Sequence, residues 1–145
     1  MAGEKGFQVT GVDLSDIAIE EAKEKVEQNN LKYVLMVDDF LEWKTCREKF
    51  AFVFDRGRYH TFDFREERMR FVRNISKCLK IIGIWMSIIG NANQKRIEPG
   101  PRRRSATEVI EAAEPHLEIL SLTSEYFGSN GKDPARAWIA LFKRG

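Results

Sequence analysis

Short runs of apolar residues alternate along the chain with longer amphipathic stretches, which is the pattern of a sheet layered with helices. Four of these runs are rich in β-branched and aromatic residues and end at polar or turn-forming residues. They predict strands at residues 7–15, 31–37, 50–54 and 83–89. Because their apolar positions are nearly continuous, these strands are typical of a parallel sheet that is covered on both faces.

Helices are predicted between the strands, where apolar residues recur with the period of one helix face. The three predicted helices cover residues 15–30, 64–80 and 105–115. In the first, Ala18, Ala22 and Val26 form one apolar stripe. The third begins with the capping-box pair Ser105 and Glu108, which is a signature of a helix N-terminus.

Two further apolar runs, at residues 116–127 and 135–144, follow one another with no helix between them. Consecutive strands of this kind predict an antiparallel hairpin at one end of the sheet. The pattern therefore predicts an α/β fold, mostly parallel, with a C-terminal antiparallel hairpin. A length of 145 residues predicts that residues 1–145 form a single domain.

Charge and hydropathy limit the partners of such a domain. The chain has 24 basic and 22 acidic residues, a net charge of +2, so nucleic acid is not an expected partner. The longest apolar run, residues 81–90, is too short to cross a bilayer as a helix, and the N-terminus lacks a signal-peptide core. We therefore expect a cytoplasmic protein with no membrane partner.

The two cysteines, Cys46 and Cys78, are far apart in the sequence and lack the spacing of metal ligands. From this spacing we predict neither a disulfide nor a zinc site. A pair of unlinked thiols also agrees with a reducing cytosol. No metal site is predicted.

Three acids directly follow apolar strands, where ligands of parallel sheets bind. Asp13 has two interpretations of similar weight, as the acceptor of two ribose hydroxyls or as a helix cap. Asp39 is placed to accept from an adenine amino group, with Phe40 against the ring, although a loop acid is the more frequent case. Asp55, with His60 nearby, indicates either the floor of a reaction site or a turn with a surface histidine.

The order of these segments resembles the class I S-adenosylmethionine-dependent methyltransferases, and more narrowly the branch that includes thiopurine and tellurite-resistance methyltransferases. The resemblance is carried by GFQVTGVDLSDIAIEEA, DDFLEW, FDRGRYHTF, LKIIGIWMSIIG and GPRRRSATEVIEAAEP. It implies a Rossmann-like sheet, S-adenosyl-L-methionine as cofactor and a small-molecule methyl acceptor.

The resemblance also implies roles for particular residues. The cofactor side comprises Asp13, Leu14, Asp39 and Phe40. The methyl-transfer site comprises the catalytic candidates Asp55 and His60. The substrate side comprises Arg58, Tyr59 and Arg102. Arg58 departs from the family, which usually has a small residue or a cysteine at that position.

In the family, a first strand and a glycine-rich turn precede the strand that ends at Asp13. No segment of this sequence supplies them, so we expect a domain that begins one strand late and binds its cofactor weakly or not at all. The absent strand would leave a gap of about two strand spacings, roughly 10 Å. We therefore expect either a homodimer or a sheet that has closed up, with Val9 and Phe52 in neighbouring strands.

Three functions follow with different weights. The leading one is a methyltransferase-like protein, in which His60 serves as a general base only if the acceptor must lose a proton. A structural role for His60 has equal weight. Soft acceptors such as thiolates, selenols or tellurium oxyanions would need no base. The alternative is a non-catalytic remnant that serves as a self-associating binding or interaction module. A dinucleotide-binding domain is third, because it requires the missing glycine-rich loop.

Overall fold

A computed structural model describes residues 6–93, 103–126 and 134–145 of the chain. Its strands are β1 (Val9–Asp13), β2 (Tyr33–Val37), β3 (Phe50–Arg56), β4 (Leu79–Gly90), β5 (Glu118–Tyr126) and β6 (Arg136–Lys143). Its helices are α1 (Asp16–Gln28), α2 (Arg65–Cys78) and α3 (Ala106–Ala113). Each predicted strand and helix overlaps one of these. Arg102 lies outside the described residues.

The chain divides into two compact units, residues 1–43 and residues 44–145. In the first unit, β1 and β2 pair in parallel, with Val9 opposite Tyr33 and Asp13 opposite Val37. Helix α1 connects them and is capped by Ser15, whose hydroxyl accepts the Ala18 N–H at 3.1 Å. This βαβ connection places the carboxyl ends of both strands at the same edge.

The second unit contains a four-stranded sheet in the order β3-β4-β6-β5. Strands β3 and β4 are parallel, and the β5–β6 hairpin is antiparallel and joins the sheet through β6. The two parallel pairs and the C-terminal hairpin confirm the predicted Rossmann-like α/β class. No described helix is long and apolar enough to cross a membrane.

Aromatic residues form the core of the second unit. Trp85 in β4 is fully buried and stacks on Phe142 of β6, with ring centroids 4.7 Å apart. Phe71 of α2 meets the Trp85 ring edge-on at 6.1 Å. Helix α2 thus covers the sheet through a side chain that the apolar stripe of residues 64–80 predicts.

Helix α2 ends and β4 begins earlier than the sequence predicts. The helix stops at Cys78 and the strand starts at Leu79, four residues before the predicted start at Gly83. The cause is tertiary, because the Cys78 carbonyl accepts the Lys49 N–H at 2.8 Å and Leu79 pairs with Phe50 of β3. Strand pairing therefore overrides the helical period at this point.

The predicted closed-up sheet is not found. Among the described residues, β1, which contains Val9, pairs with β2, and β3, which contains Phe52, pairs with β4 in a separate sheet. The prediction that β3 is buried on both faces is also wrong, since Phe52 and Phe54 are 54% and 52% exposed. The predicted homodimer stays a prediction.

The prediction of unlinked cysteines is wrong. Cys46 and Cys78 are joined by a disulfide, with Cα atoms 5.0 Å apart, inside the range that this bond requires. Their separation of 32 residues carries no information about this distance. The contact arises because the segment before β3 runs along the end of α2, where the Glu48 N–H donates to the Lys77 carbonyl at 2.8 Å.

Candidate functional site

Asp13 lies at the carboxyl end of β1, with its side chain exposed. One oxygen, Oδ1, accepts the Ser15 N–H at 2.8 Å and thereby shapes the turn into α1. The neighbouring Leu14 is 53% exposed. A carboxylate oriented by a backbone donor beside an exposed apolar side chain suits a ribose and the base attached to it.

Asp39 and Phe40 begin a short 3-10 turn, Phe40–Glu42, after β2. The Asp39 carboxylate accepts the Leu41 N–H at 3.0 Å and so caps this turn. Phe40 is half-buried, and its ring centroid is 5.0 Å from that of Trp43. Trp43 was not assigned from the sequence, although DDFLEW contains it. It extends the aromatic surface that Phe40 offers to a planar base.

These residues of the first unit lie at one sheet edge. The Asp38 N–H donates to the Asp13 carbonyl at 3.0 Å, which joins the ends of β1 and β2. The edge therefore carries carboxylates that can accept from ribose hydroxyls or an adenine amino group, and aromatic rings on which a planar base could stack. Among the residues that the structure describes, no cluster of three or more His, Cys, Asp or Glu is placed to hold a metal ion.

In the second unit, Asp55 holds the turn that follows β3. Its Oδ2 accepts the Trp85 indole N–H at 2.7 Å, and its Oδ1 accepts the Tyr59 N–H at 3.2 Å. Burial raises the pKa of Asp55 above its ordinary value, while hydrogen bonds, including these two, oppose that rise. The carboxyl group thus fixes the backbone of the turn that contains the other candidates.

Tyr59 points into the core rather than outward. It is fully buried, and its hydroxyl donates to the Glu108 carbonyl of α3 at 2.7 Å. Burial raises the pKa of the phenol above its ordinary value. The predicted substrate-side role of this side chain does not agree with that placement. Arg58 is half-buried, with its guanidinium 4.7 Å from the centroid of the Phe62 ring, a cation–π contact.

His60 is buried, and its Nδ1 accepts the Gly90 N–H at 2.7 Å. Burial, together with the positive charge of Arg104, lowers the pKa of His60 to about 4. The imidazole is therefore neutral at pH 7, and the bond at Nδ1 places its proton on Nε2. A ring in this state is a poor general base, which favours the structural interpretation that the sequence left open.

Two arginines hold the end of the turn that follows β3. Neither was predicted from the sequence to be a site residue. Arg68 of α2 and Arg104 both donate to the Phe62 carbonyl, at 2.9 and 2.7 Å. Both also form ion pairs with Glu108, at 3.4 and 3.7 Å. The Arg104 side chain is only 11% exposed. No local signal reveals this contact, because the partners lie 42 residues apart.

The environment of His60 predicts a pH-dependent stability. A pKa near 4 in the folded state, against 6.5 in the unfolded state, contributes stability above pH 6.5 that is lost as pH falls toward 4. We expect the free energy of unfolding to fall over this interval by on the order of 2 kcal/mol more in the wild type than in His60→Gln. Urea unfolding at several pH values measures this difference. A His60 imidazole titrating near 6.5 by NMR, with His116→Gln used to assign the only other histidine, would contradict it.

Comparison with known proteins agrees with the Rossmann-like fold. A family model described as a methyltransferase domain matches residues 1–83, more than half of the chain. A search of curated proteins finds no match.

Solved structures share the fold at low sequence identity. One comes from a study of the conversion of a disulfide bond into a thioacetal group during echinomycin biosynthesis, with 20% identity, a TM-score of 0.83, and coverage of 99% of this chain and 69% of that one. A SAM-dependent methyltransferase from Methanosarcina mazei has 13% identity, a TM-score of 0.81, and coverage of 99% and 84%. The N-methyltransferase NodS from Bradyrhizobium japonicum, solved with S-adenosyl-L-homocysteine, has 16% identity, a TM-score of 0.73, and coverage of 94% and 66%.

The family match and the shared fold agree with the parallel pairing of β1 with β2 and of β3 with β4. The fold is one that binds cofactors of the S-adenosylmethionine type. The chain belongs to the methyltransferase domain family.

Proposed function

We propose that this chain is an S-adenosylmethionine-dependent methyltransferase-like protein that acts on a small-molecule acceptor and binds its cofactor weakly. The main support for the proposal is the arrangement at the edge of the first unit. There the Asp38 N–H, just after β2, donates to the Asp13 carbonyl at 3.0 Å, which holds the carboxyl ends of β1 and β2 together. Asp13 would accept the ribose hydroxyls, and Asp39 and Phe40 would frame the adenine. We propose weak binding because the assigned residues, Asp13, Asp39 and Phe40, account for only the adenosine half of the cofactor.

The cofactor supplies an electrophilic methyl group on a sulfonium. The protein therefore does not need to form a covalent intermediate with the methyl group. Its residues would position the acceptor and exclude water. Asp55 holds the turn from β3 through the Tyr59 N–H at 3.2 Å, and Arg58 lies on the same turn. Since His60 is neutral and its Nδ1 is engaged by Gly90, the proposed acceptor is a nucleophile that needs no base.

Thiolates, selenols and tellurium oxyanions are acceptors of this kind, which agrees with the thiopurine and tellurite-resistance branch that the sequence resembles. The test is transfer of labelled methyl from S-adenosylmethionine to a panel of small thiols. We expect slow transfer that is lost in Asp13→Ala. Asp16→Ala is the matched control, because it removes the same charge from an exposed position in the first turn of α1. Equal rates in both variants would contradict the role of Asp13.

A second candidate, a non-catalytic self-associating module, is favoured by the apolar surface of β3. Phe52 and Phe54 alternate along this strand and are 54% and 52% exposed, and exposed apolar edge strands promote pairing with other chains. We expect a homodimer whose mass, measured by light scattering, is twice 16.8 kDa and falls to that of a monomer in Phe52→Lys. Phe64→Lys, at a 68% exposed position outside β3, is the control. A wild-type mass near 16.8 kDa at all concentrations would contradict this assembly.

A further inference from the structure

The disulfide between Cys46 and Cys78 lies away from the candidate site residues of its unit, where the segment before β3 meets the end of α2. The bridge is one of several ties between these segments. The N–H groups of Glu48 and Lys49 donate to the carbonyls of Lys77 and Cys78, each at 2.8 Å. These bonds do not depend on the sulfur atoms. The two thiols of a reduced chain would therefore stay close enough to pair again.

The two sulfur atoms differ in accessibility. Cys46 is half-buried in a segment without regular structure, whereas Cys78 ends α2 and is 1% exposed. An incoming thiol must approach the sulfur that it attacks along the S–S axis, so it reaches the more exposed Cys46 first. Cys78 then leaves as the thiolate.

Basic residues surround both cysteines in the sequence. The flanking cations are Lys44, Arg47, Lys49, Lys77 and Lys80. The acid in this group, Glu48, is paired with Arg144 at 3.5 Å. Positive surroundings stabilise a thiolate and attract an anionic partner. The charge pattern therefore favours a negatively charged thiol over a neutral one.

We propose that the Cys46–Cys78 disulfide is a thiol–disulfide exchange site for an anionic low-molecular-weight thiol. The thiolate attacks Sγ of Cys46, a mixed disulfide forms there, and the Cys46–Cys78 bond breaks to release the Cys78 thiolate. A second thiolate attacks the sulfur of the bound small thiol and releases the Cys46 thiolate. The protein disulfide is reduced to two thiols, each taking up one proton, and two small thiols are oxidised to one small disulfide. The proposal does not depend on cofactor binding or methyl transfer.

The experiment uses the full chain, purified without reductant and treated with glutathione, followed by alkylation and mass spectrometry. We expect no alkylation before treatment, two alkylated cysteines after complete reduction, and, in wild-type samples quenched early with acid, glutathione bound to Cys46 while Cys78 is a free thiol. Peptide mapping of the quenched wild type assigns the adduct to one of the two cysteines. Two free thiols in air-oxidised protein, no reduction of the folded chain, or an adduct mainly on Cys78 would each overturn the proposal.

The preference for an anionic thiol is tested by removing two of the flanking cations. Arg47→Gln with Lys49→Gln should slow reduction by glutathione on the order of threefold or more at low salt, because electrostatic attraction raises the encounter rate. The same variant should slow reduction by 2-mercaptoethanol less, because the attacking thiolate of 2-mercaptoethanol carries less negative charge than that of glutathione. Lys32→Gln, an exposed charge in the other unit, is the control. Equal slowing with both thiols would overturn the preference for an anionic thiol.

Discussion

Replacing Trp85 with alanine is expected to lower the free energy of unfolding by about 4 kcal/mol, since removing a large buried aromatic side chain costs about 3–5 kcal/mol. The indole is fully buried and stacks on Phe142 with centroids 4.7 Å apart. Its N–H also donates to Asp55 Oδ2 at 2.7 Å. Alanine therefore leaves a cavity and removes a donor from a partly buried carboxyl group. Urea unfolding measures the loss.

The Trp85→Phe variant separates these two effects. Phenylalanine keeps most of the apolar contact with Phe142 but cannot donate to Asp55, and leaving a buried polar group without its donor costs about 1–3 kcal/mol. Trp138→Phe is the matched control, because the Trp138 indole donates at 2.9 Å to the neutral carbonyl of Arg104 instead of a carboxyl group. We expect Trp138→Phe to lower the free energy of unfolding by less than Trp85→Phe does. A Trp85→Phe variant as stable as the wild type would contradict the role of Asp55 in holding this network.

Replacing Asp13 with alanine is expected to abolish detectable binding of S-adenosylhomocysteine. The ribose hydroxyls would lose their charged acceptor, and hydrogen bonds to charged groups are worth about 1.5–3 kcal/mol each. Each 1.4 kcal/mol is tenfold in affinity, so an already weak complex would fall below detection. Asp13→Asn is the informative partner variant, because it keeps an acceptor for the Ser15 N–H, which Asp13 accepts at 2.8 Å, but removes the charge.

The elements of this fold could be predicted from the sequence because local patterning determines them. The stripe of Ala18, Ala22 and Val26 and the capping box of Ser105 and Glu108 both lie within observed helices or their caps. The consecutive strands at the C-terminus predicted the hairpin for the same reason. Periodicity and capping depend on neighbours in sequence, and those neighbours are visible without a structure.

Features that depend on contacts distant in sequence could not be predicted. The disulfide pairs Cys46 with Cys78 across 32 residues, and Arg104 reaches the Phe62 carbonyl across 42. Tyr59 lies just after the strand-end residue Asp55, where a residue that contacts the methyl acceptor is expected. Its hydroxyl instead donates to the Glu108 carbonyl of α3. In each case the role of the residue depends on a partner that is distant in the sequence, and the local sequence does not indicate which residue that partner is.

The candidate site shows the same division between local and distant information. The positions of Asp13 and Asp39 at the ends of parallel strands followed from the strand pattern. The protonation state of His60 did not, because burial and the charge of Arg104 lower its pKa. A general base can be proposed from residue type alone, but its pKa depends on the folded environment.

The proposed function requires that this methyltransferase-family chain bind its cofactor weakly, through Asp13 on the adenosine side of the site. Isothermal titration calorimetry of the full chain with S-adenosylhomocysteine tests this directly. We predict a dissociation constant weaker than about 10 μM, a binding free energy less favourable than about −7 kcal/mol, and no measurable heat with Asp13→Ala. A tighter wild-type complex, or a titration that Asp13→Ala leaves unchanged, would contradict the account.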